Sequence, residues 1–284
     1  MMTTTPDHAA VPGPSRQLGP GTARATVLDI LGDLVFPSAE LAPTTAFIEL
    51  MQHLGFTEHA VRQALSRCAA EGWISGTREG RTTSWALAES GRQVVADGIA
   101  GVERLCHDHA DWDGRWLVLI VSIPRENRAS RDQVYRSLRW DGFGNPAPAV
   151  WLSPHPDRRR RTAQTLARLG VTDTLAFCGE TDPLGLPEDE LVAKGWDIGT
   201  VTDHYRECRA EFEAMTPESR RDRTAALLQL NAQLQQLLVT DPQLPGVLLP
   251  GWSGRTDAAA LLGIRQRWRA DARAYWQELV QSCS

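Results

Sequence analysis

From Ala23 to Val35 the apolar residues Val27, Ile30, Leu31 and Leu34 recur at helical spacing, which predicts a first amphipathic helix. After "FPSAELAP" a second helix carries Phe47, Ile48, Leu50, Met51 and Leu54, with Thr44 or Thr45 available as its cap and Gly55 at its end. Thr57 offers the cap of a third helix that starts at Glu58, and Gly72 closes it as a left-handed C-terminal residue. The stop between the second and third helices is short, as a helix-turn-helix requires. "WISGT" and "TTSWAL" then alternate as strands around "REGR", where Gly80 supplies the positive φ of a tight turn. Ile74, Trp85 and Leu87 are the hairpin's inward candidates.

The third helix has two unlike faces. Val61, Ala64, Leu65 and Cys68 fall on an inward face, while His59, Arg62, Gln63, Ser66 and Arg67 share the opposite arc. A merely solvated helix interleaves acids with its cations, but no acid stands between Glu58 and Glu71. Arginine, glutamine and serine are side chains that bond base edges and phosphates. Arg78, Arg81 and Thr83 project from the hairpin tip or its outer edge. A groove-reading helix beside an arginine-tipped hairpin is the winged-helix arrangement. The same pattern would also serve a three-helix domain that contacts protein.

Farther along, Trp116 to Ile123 is a nearly continuous apolar run stopped by Pro124, the mark of a buried central strand. A helix over Arg128 to Trp140 directs Val134, Tyr135 and Leu138 inward. "DGFG", a weak strand near Phe143, a strand over Ala149 to Leu152, a helix ending near Leu169 and a strand over Thr174 to Cys178 complete the order β-α-β-β-α-β. That order is the ferredoxin-like split unit. Leu227, Leu230, Leu234, Leu237 and Leu238 mark an amphipathic helix. An elbow "DPQLPGVLLPGWSG" and a last helix over Asp257 to Val280 follow. The predicted class is α+β, with a disordered arm over 1–21, a winged helix-turn-helix over 22–100, a linker over 101–111, a ferredoxin-like domain over 112–180 and a helical domain over 181–284.

Charge changes this picture. The 284 residues carry a formal net charge of −5, so duplex contact must come from a local patch and not from bulk positive charge. Between residues 62 and 81 four arginines oppose Glu71 and Glu79, a local excess of two. Lys194 is the only lysine, a bias that a GC-rich genome also produces. The five cysteines are scattered and odd in number, which points to a reducing compartment and a cytoplasmic protein. The Pro-, Gly-, Ser- and Thr-rich N-terminus lacks the apolar run of a secretory signal, and no segment approaches the ~20 apolar residues of a membrane span.

The densest group of metal-ligand types is "CHDHADWD", Cys106 to Asp113, but zinc sites need paired spacing and no second pair occurs. The expectation is a polar hinge with no metal. No G-x-S-x-G, P-loop or G-x-G-x-x-G is present, and the seven histidines are dispersed, so no catalytic constellation is read.

Taken together, "ILGDLV", "LGFTEHAVRQALSRCAAEGWI", "REGRTTSWALAESG", "WDGRWLVLIVSIP", "LRWDGFGNPAPAVWLSP" and "DPQLPGVLLPGWSG" resemble the PaaX family of repressors of phenylacetate-degradation operons, over nearly the whole chain from Thr22. The resemblance implies a winged helix, a middle domain similar to a small CRISPR-associated ferredoxin-like nuclease, and a helical C-terminal domain. It further implies a homodimer on palindromic double-stranded operator DNA, released by an acyl-CoA such as phenylacetyl-CoA. It puts DNA contact on "EHAVRQALSR" and "REGR". An acyl-CoA pocket needs arginines for phosphates and an aromatic slot. Trp112, Arg115, Arg139, Trp140, Trp151, Trp252 and Arg255 are the candidates; buried interface tryptophans are the alternative. Arg158 to Arg161 could hold phosphate or approach the DNA backbone, though such a run more often starts a solvated helix. A nuclease of the related kind needs a carboxylate at the end of its first strand. This strand ends "SIPRE", with Asp113 before it and Glu126 after the proline, so no enzyme is expected. The expectation is therefore a transcriptional regulator. A metal-dependent nucleic-acid-processing enzyme and a winged-helix protein-interaction module are the rivals.

Overall fold

The computed structural model describes residues 19–38, 40–107, 112–122 and 128–283. All but the last three residues of the predicted arm lie outside these ranges, as do Glu126 and residues 108–111 of the ligand-rich segment. Among the described residues there are ten α-helices and two antiparallel sheets, an α+β fold. The chain divides into two compact units. The first comprises the described residues up to Val102 together with Thr216–Gln233 and Arg265 onward, and the second comprises Glu103–Met215 and Leu234–Ile264. Residues 181–284 are thus shared between both units.

In the first unit, α1 (Ala23–Ile30) is capped by Thr22, whose Oγ1 accepts from the Ala25 N–H at 3.3 Å. The predicted single helix to Val35 is corrected at Ile30: Leu31–Val35 form a π-helical turn. A cluster of distant donors accounts for it. Asp33 meets Asn231 and Arg265, and the Asp33 carbonyl accepts from Arg269 and Arg273 at 3.4 and 2.7 Å. Widening the turn aims this group at those donors. Two residues of β1 (Ala42–Pro43) precede α2 (Thr44–His53) and α3 (Glu58–Ala70). Neither Thr44 nor Thr45 caps α2. Pro43 stands at that position, and the Thr44 hydroxyl instead donates to the Thr83 carbonyl at 2.8 Å and accepts from Trp85 Nε1 at 2.9 Å. β2 (Ile74–Glu79) and β3 (Thr82–Leu87) form the hairpin, and β1 adds to the free edge of β3, giving the order β1-β3-β2. α4 (Glu89–Arg104) runs into what the sequence suggested as linker. α9 (Arg220–Thr240) and α10 (Ser253–Ser282) are the helices within which the chain passes from one unit to the other. Phe47 meets Trp276 edge-on at 5.2 Å within the first unit.

The second unit holds β4 (Trp116–Val121), α5 (Arg128–Trp140), β5 (Gly144–Ala147), β6 (Val150–Ser153), α6 (Arg159–Arg168) and β7 (Thr174–Gly179). The sheet order is β5-β6-β4-β7, so the most apolar strand is central, as its continuous run requires. Alternation along β4 and β6 separates two cores. Leu117, Leu119, Val121 and Trp151 pack with Val134 and Leu138 of α5 and Leu166 of α6. On the other face Trp116 and Leu152 pack with Val192 of α7 (Glu188–Gly195) and with Leu244 and Leu248 of the proline-rich elbow. α8 (Ile198–Ala214) closes this unit's helical part, and its Tyr205 hydroxyl donates to the buried Asp241 carboxylate at 2.8 Å.

Candidate nucleic-acid interface

The local sequence presents α3 in a simple way. Gly55, at φ +87°, ends α2. The Ala60 N–H then donates to the Thr57 hydroxyl at 3.2 Å, which fixes the start of α3. Val61, Ala64, Leu65 and Cys68 are buried, and burial pushes the Cys68 thiol up to about 11 against the lowering charge of Arg24. Arg24 also pairs with Glu71 at 2.5 Å and lies over the Trp73 ring at 5.0 Å, so the far end of α3 is held as well. Gly72 closes the helix at φ +74°.

The predicted arc is exposed: His59, Arg62, Gln63, Ser66 and Arg67 all face solvent. Three of its members are already engaged. Arg62 donates to Glu58 at 2.8 Å, and His59 and Gln63 share a hydrogen bond at 2.9 Å. Glu58 is the residue that sequence reasoning missed. Its signal was the i,i+4 acid-to-cation spacing, which stabilises a free helix and screens the arginine. Arg67 has no ion-pair partner among the described residues.

The hairpin pairs Ile74 with Leu87 through Glu79 with Thr82, and Gly80 turns the chain at φ +59°. Arg78 and Arg81 are exposed at the tip, where Arg78 Nε donates to the Gly80 carbonyl at 3.3 Å. Ile74 and Leu87 are buried as predicted. Trp85 is only half-buried. It lies across Gly76, where an added Cβ would come within 2.9 Å of the ring. Thr83 is half-buried too, its carbonyl bonded by Thr44, so the strand is strapped to α2 and does not offer Thr83 freely.

The seven candidates for an acyl-CoA pocket are not gathered in one place. Trp112 meets Trp116 edge-on at 5.1 Å and donates from Nε1 to the Arg115 carbonyl, while Arg115 reaches the Cys178 carbonyl at 3.4 Å. Close to them is an apolar groove of about 240 Å³ whose lining includes Trp116, Val118, Leu152 and Phe177. Trp151 is buried on the opposite sheet face against Tyr135, at 4.9 Å. Arg139 and Trp140 belong to the C-terminal turn of α5, also on that opposite side. Trp252 stands edge-on to Tyr205 at 5.6 Å, and its Nε1 donates to Thr202 at 2.7 Å. The Arg255 guanidinium donates to the Leu249 and Leu244 carbonyls at 3.0 and 2.9 Å, an architectural use of that cation.

Among the described residues no group of three or more His, Cys, Asp or Glu side chains is placed to hold a metal ion. His107 Nδ1 lies 2.7 Å from the Glu103 carbonyl, and Asp113 accepts from the Arg115 N–H at 3.0 Å. No helix among the described residues is long and apolar enough to cross a membrane.

Comparison with known proteins divides the chain into three consecutive matches. Residues 22–91 match the model described as PaaX-like protein, residues 109–192 the PaaX protein central Cas2-like domain, and residues 196–278 the PaaX-like protein C-terminal domain. The transcriptional repressor PaaX of Escherichia coli (strain K12) is 28% identical over 242 residues, covering 81% of this chain and 75% of that protein. Among solved structures, the uncharacterized protein Rv0674 from Mycobacterium tuberculosis superposes with a TM-score of 0.61 at 22% identity. That likeness spans 90% of this chain and 99% of the other, and it concerns the fold alone.

Proposed function

The chain belongs to the PaaX family, and from that premise we propose that it is a DNA-binding transcriptional repressor that acts as a homodimer and is released by an acyl-CoA. The observation that carries this reading is the arc of α3: five polar side chains exposed on a helix whose opposite face is sealed in the core. On this reading α2 and α3 are a helix-turn-helix, α3 enters the major groove, and the hairpin tip with Arg78 and Arg81 is the wing. The β-α-β-β-α-β unit is read as ferredoxin-like. Among the described residues its outer strand β7 pairs only with β4, and it exposes Leu175 and Phe177, which supports a second copy as partner. Two recognition helices then address half-sites about 34–36 Å apart, one helical turn, and an effector that shifts their spacing weakens both contacts. The groove beside Trp112, Trp116 and Arg115 is the best-supported place for an acyl group. Phenylacetate-type catabolism is the proposed pathway. No catalytic role is assigned.

The test starts from a duplex selected by this protein from a random-sequence pool. Mobility shift on that duplex should show a complex that phenylacetyl-CoA or another acyl-CoA dissociates. A complex unchanged by every acyl-CoA refutes the effector, and failure to select any sequence refutes the repressor. Magnesium- or manganese-dependent cleavage of the duplex, lost on changing Asp113, would replace this reading with the enzyme.

A further inference from the structure

The outward layer of the second unit carries an unbalanced charge. α5 and α6 together hold eight arginines and one aspartate, Asp132, an excess of seven cations in a chain whose net charge is −5. Because Val134, Leu138 and Leu166 pack inward on the sheet, the remaining faces of both helices are turned to solvent. Arg136, Arg139, Arg159, Arg160 and Arg168 are exposed there. None of these five has an ion-pair or hydrogen-bond partner among the described residues. Arg161, in contrast, is held by the buried Asp141 at 3.2 Å, and Arg158 is turned inward onto the Asp141 carbonyl at 2.9 Å.

In the helices that follow, four exposed or half-buried arginines are matched by carboxylates. Arg206 is held by Asp203 at 2.7 Å, Arg209 by Glu213 at 2.9 Å, Arg220 by Glu278 at 2.6 Å and Arg223 by Asp271 at 2.9 Å. Exposed Arg221 and Arg267 have no ion pair among the described residues, so what sets the α5–α6 face apart is five such cations crowded on two adjacent helices. Three arginines also open α6, where the positive helix terminus makes clustered cations unfavourable unless an anion is near. Such a face is costly alone and is relieved by a dense polyanion. Duplex DNA presents one negative charge per about 1.7 Å of axis, and arginine forks match its phosphate oxygens.

We propose that the α5–α6 face is a second DNA-contacting surface, which grips the phosphate backbone of duplex without reading its sequence. This rests on the repressor reading above and adds a surface to it. It separates two tasks: α3 chooses the site, and the α5–α6 arginines add sequence-independent hold on neighbouring duplex.

The test is the salt dependence of full-length protein binding to a random-sequence duplex of about 40 base pairs, near four turns, followed by fluorescence anisotropy. A variant with Arg136→Gln, Arg159→Gln and Arg160→Gln is compared with wild type and with Arg62→Ala/Arg67→Ala. The three-glutamine variant should melt like wild type, because these side chains hold no other part of the fold. Its slope of log affinity against log salt should be shallower by about 2 to 3, near 0.9 for each phosphate no longer neutralised. Its preference for the selected duplex over the random one should be unchanged. Arg62→Ala/Arg67→Ala should instead lose that preference. If the three-glutamine variant keeps the wild-type slope while wild type still prefers its selected duplex, the second surface is refuted and the repressor reading stands; this is also the result expected of a face built for an acidic protein. If wild type shows no salt-sensitive binding to any duplex, both fall.

Discussion

Replacing Asp33 by Asn should destabilise the first unit by about 3 kcal/mol, the lower end of what breaking a buried ion pair costs. Asp33 is 3% exposed and accepts from Asn231 Nδ2 at 2.6 Å and from Arg265, whose Nε also donates to Asn231 Oδ1 at 3.0 Å. Arg269 stands 3.5 Å from the same carboxylate. Asparagine keeps one acceptor and the shape, but it leaves the Arg265 cation, whose side chain is 11% exposed, without its counter-charge. The partial exposure of Arg269, at 23%, and the retained acceptor are why the lower end of the range applies. Trp268 and Trp276 belong to this unit, so urea unfolding followed by tryptophan emission reports the change. In a thermal scan the same loss amounts to roughly 6–12 °C for a protein of this size. A control replaces both members of the most buried pair, Asp33→Leu with Arg265→Leu, and should lose less than Asp33→Asn alone, since the charge that stays, on Arg269, is partly exposed. A free-energy change under about 1 kcal/mol for Asp33→Asn would refute the reasoning, because a buried cation would then have lost its partner at no cost.

Other expectations follow from the same kind of argument. Arg67→Ala and Arg62→Ala should each weaken binding to the selected duplex by about 1–3 kcal/mol with little change in melting temperature; wild-type binding by both would mean α3 is not the reading helix. Gly91→Ala should destabilise strongly, by about 3 kcal/mol or more, because the new Cβ would lie 1.9 Å from the Trp73 carbonyl oxygen and backbone cannot swing aside; calorimetry checks it. Burial pushes the thiols of Cys68 and Cys208 up to about 11 and about 12, so both stay protonated well above their ordinary 9. Native protein alkylated near pH 8 and mapped by mass spectrometry should therefore carry no label on these two, whereas urea-unfolded protein should carry it on both. Burial also raises the Asp241 carboxyl above 3.8, against the lowering bonds from Gln243 and Tyr205. The stability from that residue is thus fully present below 3.8 and is lost as pH rises through its folded value. Asp241→Asn should flatten the decline of the urea midpoint as pH rises above 3.8, and a profile parallel to wild type would contradict this.

What could be read from the chain depended on distance along it. The arc of α3, its Thr57 cap and Gly72 stop, and the central placement of β4 are local patterns, and all are present. The Glu58–Arg62 pair is equally local, an acid in the first turn four positions before the arginine. The π-helical turn could not be read, since its donors lie more than 190 residues away in α9 and α10. Nor could the role of Thr44, whose obvious local use as a cap was overridden by Trp85 across the sheet. The tryptophans show the limit of composition: Trp116 and Trp151 are 35 positions apart on neighbouring strands, yet they point into opposite cores because strand residues alternate. The arginine run from Arg158 divides in the same way, two of its side chains turned to buried Asp141 and two without a partner among the described residues.

The closed Glu58–Arg62 pair has a kinetic consequence for the proposed repressor. While sliding over unrelated sequence, α3 travels with one of its two cations paired to its own carboxylate, so a phosphate gains slightly less by approaching it. Any acceptor that takes Arg62, base edge or phosphate, must first displace that carboxylate, which trims each such contact by about 0.3–0.5 kcal/mol and shortens the briefest stays most.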